Sequence, residues 1–241
     1  MRHVKIFGLA LVALSAVSAM MASSASAVAT QLHYLVGGHG LASGETRLIL
    51  AKIAAGTEFV LKGETFGVEA VTKCKKLKLN PNNDPRIVGG LPGTSEKNLI
   101  EFEECKGTIG GAACKEVKVH NVLTRSELVM ILKPAAKAGL TGALFKPESG
   151  TTFTTILDKE CGIFGNTNAE VTGTTVALAS PENTDQLFGK LIWKAGAEEI
   201  TEVEKRGGEK AKDGLLFAGN TASLEGTAEV WLENDELWGI L

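Results

Sequence analysis

The stretch ASLEGTAEVWLE, residues 222–233, alternates along its whole length. Even positions hold Ala222, Leu224, Gly226, Ala228, Val230 and Leu232; odd ones hold Ser223, Glu225, Thr227, Glu229, Trp231 and Glu233. A helix would need apolar residues three and four apart, whereas a period of two sorts them onto opposite faces of a pleated strand. The stretch therefore predicts a strand with one dry face and one wet face. Asn234-Asp235 suit a two-residue hairpin turn, and the residues beyond would return as the partner strand. In that register Trp231 faces Trp238.

The same alternation extends upstream. FGVEAVTKC (66–74) puts Phe66, Val68, Ala70, Thr72 and Cys74 on one face. KKLKL (75–79) moves the apolar residues to odd positions, so a bulge or bend is expected near Lys75-Lys76. NLIEFEEC (98–105) opposes Ile100 and Phe102 to Glu101 and Glu103, and CKEVKVHNV (114–122) aligns Val117 with Val119. SELVMILK (126–133) is apolar enough for a central strand. TTFTTILDKEC and AEVTGTTVALAS are rich in threonine and β-branched residues, which suit pleated surfaces. Proline and glycine mark 80–93 as a loop, and GGEKAKDG (207–214) reads as an exposed turn.

One stretch departs from the pattern. SGETRLILAKIAAG (43–56) sets Leu48, Ile49 and Ile53 at helical spacing behind a Ser43 cap, though it reads as a strand nearly as well. About ten short strands with few helix signals point to an all-β antiparallel sandwich or barrel, with at most this one short helix. No repeat or compositional shift divides the chain, so 28–241 reads as a single domain, with 28–45 as a flexible lead.

Residues 1–27 carry the parts of a secretory signal peptide. Arg2, His3 and Lys5 precede the uncharged IFGLALVALSAVSAMMA, and Ala25-Ser26-Ala27 offers the small residues at which a signal peptidase cuts. No later stretch approaches the ~20 apolar residues of a membrane span. The net charge of −3 becomes −5 once Arg2 and Lys5 leave with the leader. Such a surface gives no attraction for nucleic acid or an anionic membrane.

Four cysteines, Cys74, Cys105, Cys114 and Cys161, follow the leader. Outside the cell an even number favours two disulfides. Neither C-x-x-C spacing nor a close histidine supports a zinc site or a redox pair. Three pairings are open; the glycine-rich KGTIGGAA between Cys105 and Cys114 favours joining those two, leaving Cys74 for Cys161.

Several runs together, IVGGLPGTSEKNLIEFEECKG, LFKPESGTTFTTI, CGIF and GTAEVWLENDELWGI, resemble a group of secreted proteins from high-GC Gram-positive soil bacteria. The resemblance runs from about Gly56 to the C-terminus. It implies secretion and a β-rich fold, and it brings no catalytic residues with it.

Chemical motifs are few. H-E-x-x-H, G-x-S-x-G and the phosphate-binding G-x-x-x-x-G-K-[ST] are missing, and no cofactor or metal is called for. His33 and His39 read as exposed histidines in the lead segment, and His120, six residues past Cys114, is loosely spaced for a ligand pair. KCKKLK (73–78) reads as lysines that keep a strand edge soluble. The one candidate for acid–base work is the pair Glu101 and Glu103, on one strand face with Cα atoms ~6.5–7 Å apart, within the spacing glycosidases use. Few aromatic residues accompany it to stack a sugar. The expectation is a secreted, non-catalytic β protein, extracellular or associated with the cell surface or cell wall, with a structural or ligand-binding role and a cell-wall or environmental glycan among the partners expected. The alternative is a secreted polysaccharide hydrolase using Glu101 and Glu103.

Overall fold

The computed structural model describes residues 31–241; the expected leader, 1–27, lies outside them, as do residues 28–30. Helical structure among the described residues is limited to four turns of 3-10 helix, three residues each. Everything else regular is strand.

The described residues open with a small hairpin, β1 (Tyr34–Val36) and β2 (His39–Gly40). β3 (Thr46–Ile53) occupies the stretch with helical spacing, which corrects that expectation. Ile49 and Ala51 are buried while Leu48 is exposed, so the working period is two. β4 (Phe59–Thr65) and β5 (Val68–Leu79) form a hairpin about Phe66-Gly67, whose φ values of 53° and 73° match the primed turns that fit twisted strands. β6 (Arg86–Val88) leads to β7 (Thr94–Ile109), which folds back as β8 (Ala112–Ala113). Then come β9 (Glu116–Val119), β10 (Val122–Lys133), β11 (Thr141–Pro147), β12 (Thr152–Lys159) and β13 (Thr167–Thr172). β14 (Thr175–Ser180), β15 (Gly189–Trp193), β16 (Glu202–Glu204) and β17 (Lys210–Lys212) follow. β18 (Leu216–Phe217), β19 (Asn220–Thr221), β20 (Ser223–Leu232) and β21 (Trp238–Ile240) complete the chain.

The largest sheet closes on itself. Its order runs β7, β10, β11, β14, β15, β20, and β20 then splits its edge. Ser223–Glu225 pair with β4 and Ala228–Leu232 pair with β3. β4 and β3 both pair with β5, and β5 pairs with β7, so eight strand positions form a ring. Closure removes the open edges that promote aggregation. Of the two architectures expected, the main sheet adopts the barrel. The five-stranded sheet β19-β18-β13-β12-β9 packs against it sandwich-fashion, and all pairings between named strands are antiparallel.

Burial follows the sequence pattern closely. In β20, Gly226, Ala228, Val230 and Leu232 are buried and alternate with more exposed residues. In β5 the buried face changes from Ala70, Thr72 and Cys74 to Leu77 and Leu79 across Lys75-Lys76, where the slip was expected. On β7, Glu104 takes a left-handed φ of 55°. Both strands slip together, and the register is kept from Cys74↔Cys105 to Leu77↔Phe102. β10 is central as expected: Leu128 and Met130 join the main core, while Val129 and Ile131 enter a second cluster with Ile200 and Val203 under β16.

Each end of the barrel is stoppered. At one end the five-stranded sheet contributes Phe153, Ile156, Val171 and Phe217 to the main core. Phe217 lies so close to Gly63 of β4 that a Cβ there would stand 2.6 Å from it. At the other end β1, β2 and β21 form a three-stranded plug, with Tyr34, Trp238 and Ile240 buried.

This plug overturns two expectations. Asn234-Asp235 do not turn a β20–β21 hairpin. β21 pairs instead with β1, Val36 facing Trp238, and Trp231 pairs with Leu50 of β3. The described part of the supposed lead, 31–45, is built into the fold, with Leu32, Tyr34 and Leu41 all buried. Leu32, Tyr34 and Trp238 gain more from leaving water than a short local hairpin could supply.

Candidate functional site

Glu101 and Glu103 lie on the outer side of β7. Lys78 of β5 reaches both, its Nζ 3.2 Å from Glu101 and 2.6 Å from Glu103. Asn80 Nδ2 donates to Glu101 at 2.7 Å. The hydrogen bond and charge of Lys78 hold the Glu103 carboxyl below its ordinary value. A glycosidase needs one of its two carboxyls protonated at working pH, and a shared ammonium drives Glu103 the other way. Lys76 pairs with Glu104 in the same fashion. The lysine run has β7 along one side; on the other, β4 pairs with Lys73 and β3 with Lys78. These lysines neutralise a cross-strand row of glutamates.

The three described histidines do not gather into one site. His33 Nδ1 lies 2.6 Å from the Gln31 carbonyl, His39 is exposed on β2, and the His120 carbonyl accepts from the Thr154 hydroxyl at 2.6 Å. Among the described residues no group of three or more His, Cys, Asp or Glu could hold a metal ion.

All four cysteines are in disulfides, but the favoured pairing is corrected. Cys74 joins Cys105, and Cys114 joins Cys161. The β5–β7 register places Cys74 directly opposite Cys105, with Cα atoms 4.0 Å apart. Within the β7–β8 hairpin, Cys114 falls opposite Gly107 instead, its N–H donating to that carbonyl. Its partner Cys161 follows β12, so the second bond staples the barrel to the five-stranded sheet.

The interior of the barrel holds two voids. The larger, about 110 Å³, is walled by Phe59, Phe102, Phe145, Phe153, Trp193 and Thr124 among others. The smaller, about 70 Å³, lies on the plug side, against Tyr34, Asn98 and Trp238. Leu77, Ile100, Phe145 and Trp193 line both and form the partition between them. Two members of this partition belong to an aromatic cluster: Trp193 stands 5.3 Å from Phe59 and 5.4 Å from Phe145, and Phe59 stands 5.6 Å from Phe102. Tilted and edge-on contacts of this kind are the favoured geometry for aromatic pairs.

Polar groups inside are few. Asn98 Nδ2 donates to Ser95 Oγ at 2.7 Å, and Ser95 Oγ lies 2.7 Å from Ser126 Oγ. The Tyr34 phenol bonds to Ser126, and burial raises it far above its ordinary value, so it stays protonated. Four buried atoms on residues lining the voids have no partner: Thr124 Oγ1 on the wall of the larger, Trp238 Nε1 and Asn98 Oδ1 on the wall of the smaller, and Nε1 of Trp193, which lines both. Leaving such a group unmet costs about 1–3 kcal/mol.

Beside Thr175 and Leu215, burial pushes the Asp213 carboxyl up to about 6. The Val176 and Leu215 N–H groups, each at 3.3 Å, and the Thr175 hydroxyl at 3.4 Å pull the other way and offset only part of this.

Sequence reasoning missed the voids, because their walls read as ordinary strand core. Compared with known proteins, the chain matches no family, no curated protein and no solved structure.

Proposed function

We propose that this is a secreted, non-catalytic protein that acts outside the cell by holding a small, mainly apolar molecule inside its barrel. The observation that carries the reading is the larger void, lined by aromatic and aliphatic side chains at the meeting of two sheets. An eight-stranded barrel has an interior that side chains just fill or that keeps room for one small ligand, and binding sites are typically apolar hollows with a few placed polar groups. The leader-like residues 1–27, the resemblance to secreted proteins and the two disulfides support export to an oxidising exterior. The ion-paired state of Glu101 and Glu103 weighs against the hydrolase alternative.

The test pairs binding with turnover. Purified protein is titrated with ring-sized apolar probes by ligand-observed NMR and incubated with cell-wall and plant polysaccharides while reducing ends are counted. Saturable probe binding with no cleavage is expected. Cleavage abolished by Glu103→Gln would establish the hydrolase instead. Retention on a glycan without cleavage would move the site to the outer face, where Phe188 and Trp231 stand 5.9 Å apart with Lys52 Nζ 5.5 and 5.6 Å from their rings. Peptide analysis of exported protein should find Val28 as the first residue.

A further inference from the structure

We infer that the molecule held in the larger void carries a hydrogen-bond acceptor on a ring-sized apolar body, as a cyclic ketone or ether does, and that this acceptor takes the N–H of Trp193. The inference rests on the barrel interior being the binding site and deepens that reading.

Three observations carry it. The first is the unmet donor. Trp193 is 93% buried, its Nε1 has no partner, and an indole N–H can only donate. Whatever satisfies it must therefore bring an acceptor. Thr124, whose hydroxyl is equally unpartnered and which is 2% exposed, lines the same void and can donate a second bond. The second is the wall. The polar groups that line the void elsewhere include Thr154 and Thr175, and their hydroxyls already reach the His120 carbonyl and Asp213. The rest is predominantly hydrocarbon and aromatic ring, so the body of the ligand has to be apolar. The third is size. A volume of about 110 Å³ is comparable with the engineered cavity of about 150 Å³ that accepts benzene. A single six-membered ring with one oxygen is of the right order.

Cyclohexanone and methylenecyclohexane have nearly the same shape, and only the ketone has an acceptor. The ratio of their affinities, compared between native protein and Trp193→Phe, cancels their different solubilities in water. The native ratio should favour cyclohexanone by about five- to tenfold more than the variant ratio does, the worth of one buried hydrogen bond. Thr124→Val is a second variant with the same expected direction. The chain has three tryptophans, so ¹⁵N-labelled protein gives three indole signals. The one lost in Trp193→Phe should move downfield with cyclohexanone and stay nearly still with methylenecyclohexane.

If both probes bind but the ratio and the indole signal do not respond, the acceptor inference fails and binding in the interior survives. If neither probe binds up to its solubility limit, both fail.

Discussion

Replacing Thr124 with valine should stabilise the unliganded protein. Most buried substitutions destabilise by around 1 kcal/mol, so the sign of this one is diagnostic. Thr124 sits on β10, 2% exposed, facing Asn98 of β7 on one side and Pro147 of β11 on the other. Its hydroxyl is buried without a partner. Valine keeps the shape, the branching at Cβ and the fit to a pleated strand. No cavity is opened and nothing is overpacked. What changes is an unmet hydroxyl, whose burial costs about 1–3 kcal/mol. A gain of about 1 kcal/mol is therefore expected, or roughly 2–4 °C in Tm for a chain of this length. Urea unfolding followed by tryptophan fluorescence measures it, with an unchanged m-value as the control for two-state behaviour. A loss of 1 kcal/mol or more would show that the hydroxyl makes a bond of value, and the account of the larger void would be wrong.

Asp213 predicts a pH dependence. Its carboxyl rises from 3.8 when exposed to about 6 in the fold, so the folded state binds the proton more tightly. The associated stability is present below pH 4 and lost as pH rises to 6 and above, about 3 kcal/mol in total. Asp213→Asn should flatten the urea midpoint over that window, and an identical slope in both proteins would refute it. Replacing Cys114 and Cys161 together by alanine opens a bridge spanning 47 residues, which the chain-entropy account values at about 4 kcal/mol. A midpoint unchanged by this double substitution would mean the staple is not formed. Gly189→Ala would place a Cβ 2.3 Å from the Trp238 ring and 2.8 Å from the Ser180 carbonyl. It should cost about 2 kcal/mol or more, and a neutral outcome would contradict the packing of the plug.

How far the fold could be read from sequence depended on how local its causes are. Residues 222–233 were legible because one face meets the core and the other meets water, and that division writes itself into alternate residues. The slip at Lys75-Lys76 was legible for the same reason. Residues 43–56 misled because the inward position 51 is alanine, which leaves Leu48, Ile49 and Ile53 as the visible pattern. The cysteine pairing depended on the register between β5 and β7, which runs from Ala70 opposite Ile109 to Leu79 opposite Ile100, not on the small loop between Cys105 and Cys114. Trp238 lay beyond local reach, since its strand partner Val36 lies on β1, ahead of every strand of the ring. Glu101 and Glu103 were correctly placed on one strand, but Lys78 on the neighbouring strand pairs with both and holds the Glu103 carboxyl below its ordinary value. Trp193 and Thr124 carried no signal at all, because a residue facing a void and a residue facing packed atoms look alike in sequence.

The plug has a consequence for the order in which the molecule assembles. β1 precedes every strand of the ring and β21 follows every one, yet the two pair, and the His33 and Leu241 backbones exchange hydrogen bonds of 2.9 and 3.0 Å. Bringing such distant segments together exacts a loop-closure entropy that smaller loops do not. This end of the ring should therefore seal last. Pulse-labelled hydrogen exchange during refolding should protect the amides of Leu35 and Gly239 after those of β10 and β20. A guest could thus be captured while the chain is still closing, before any doorway into the finished molecule is needed.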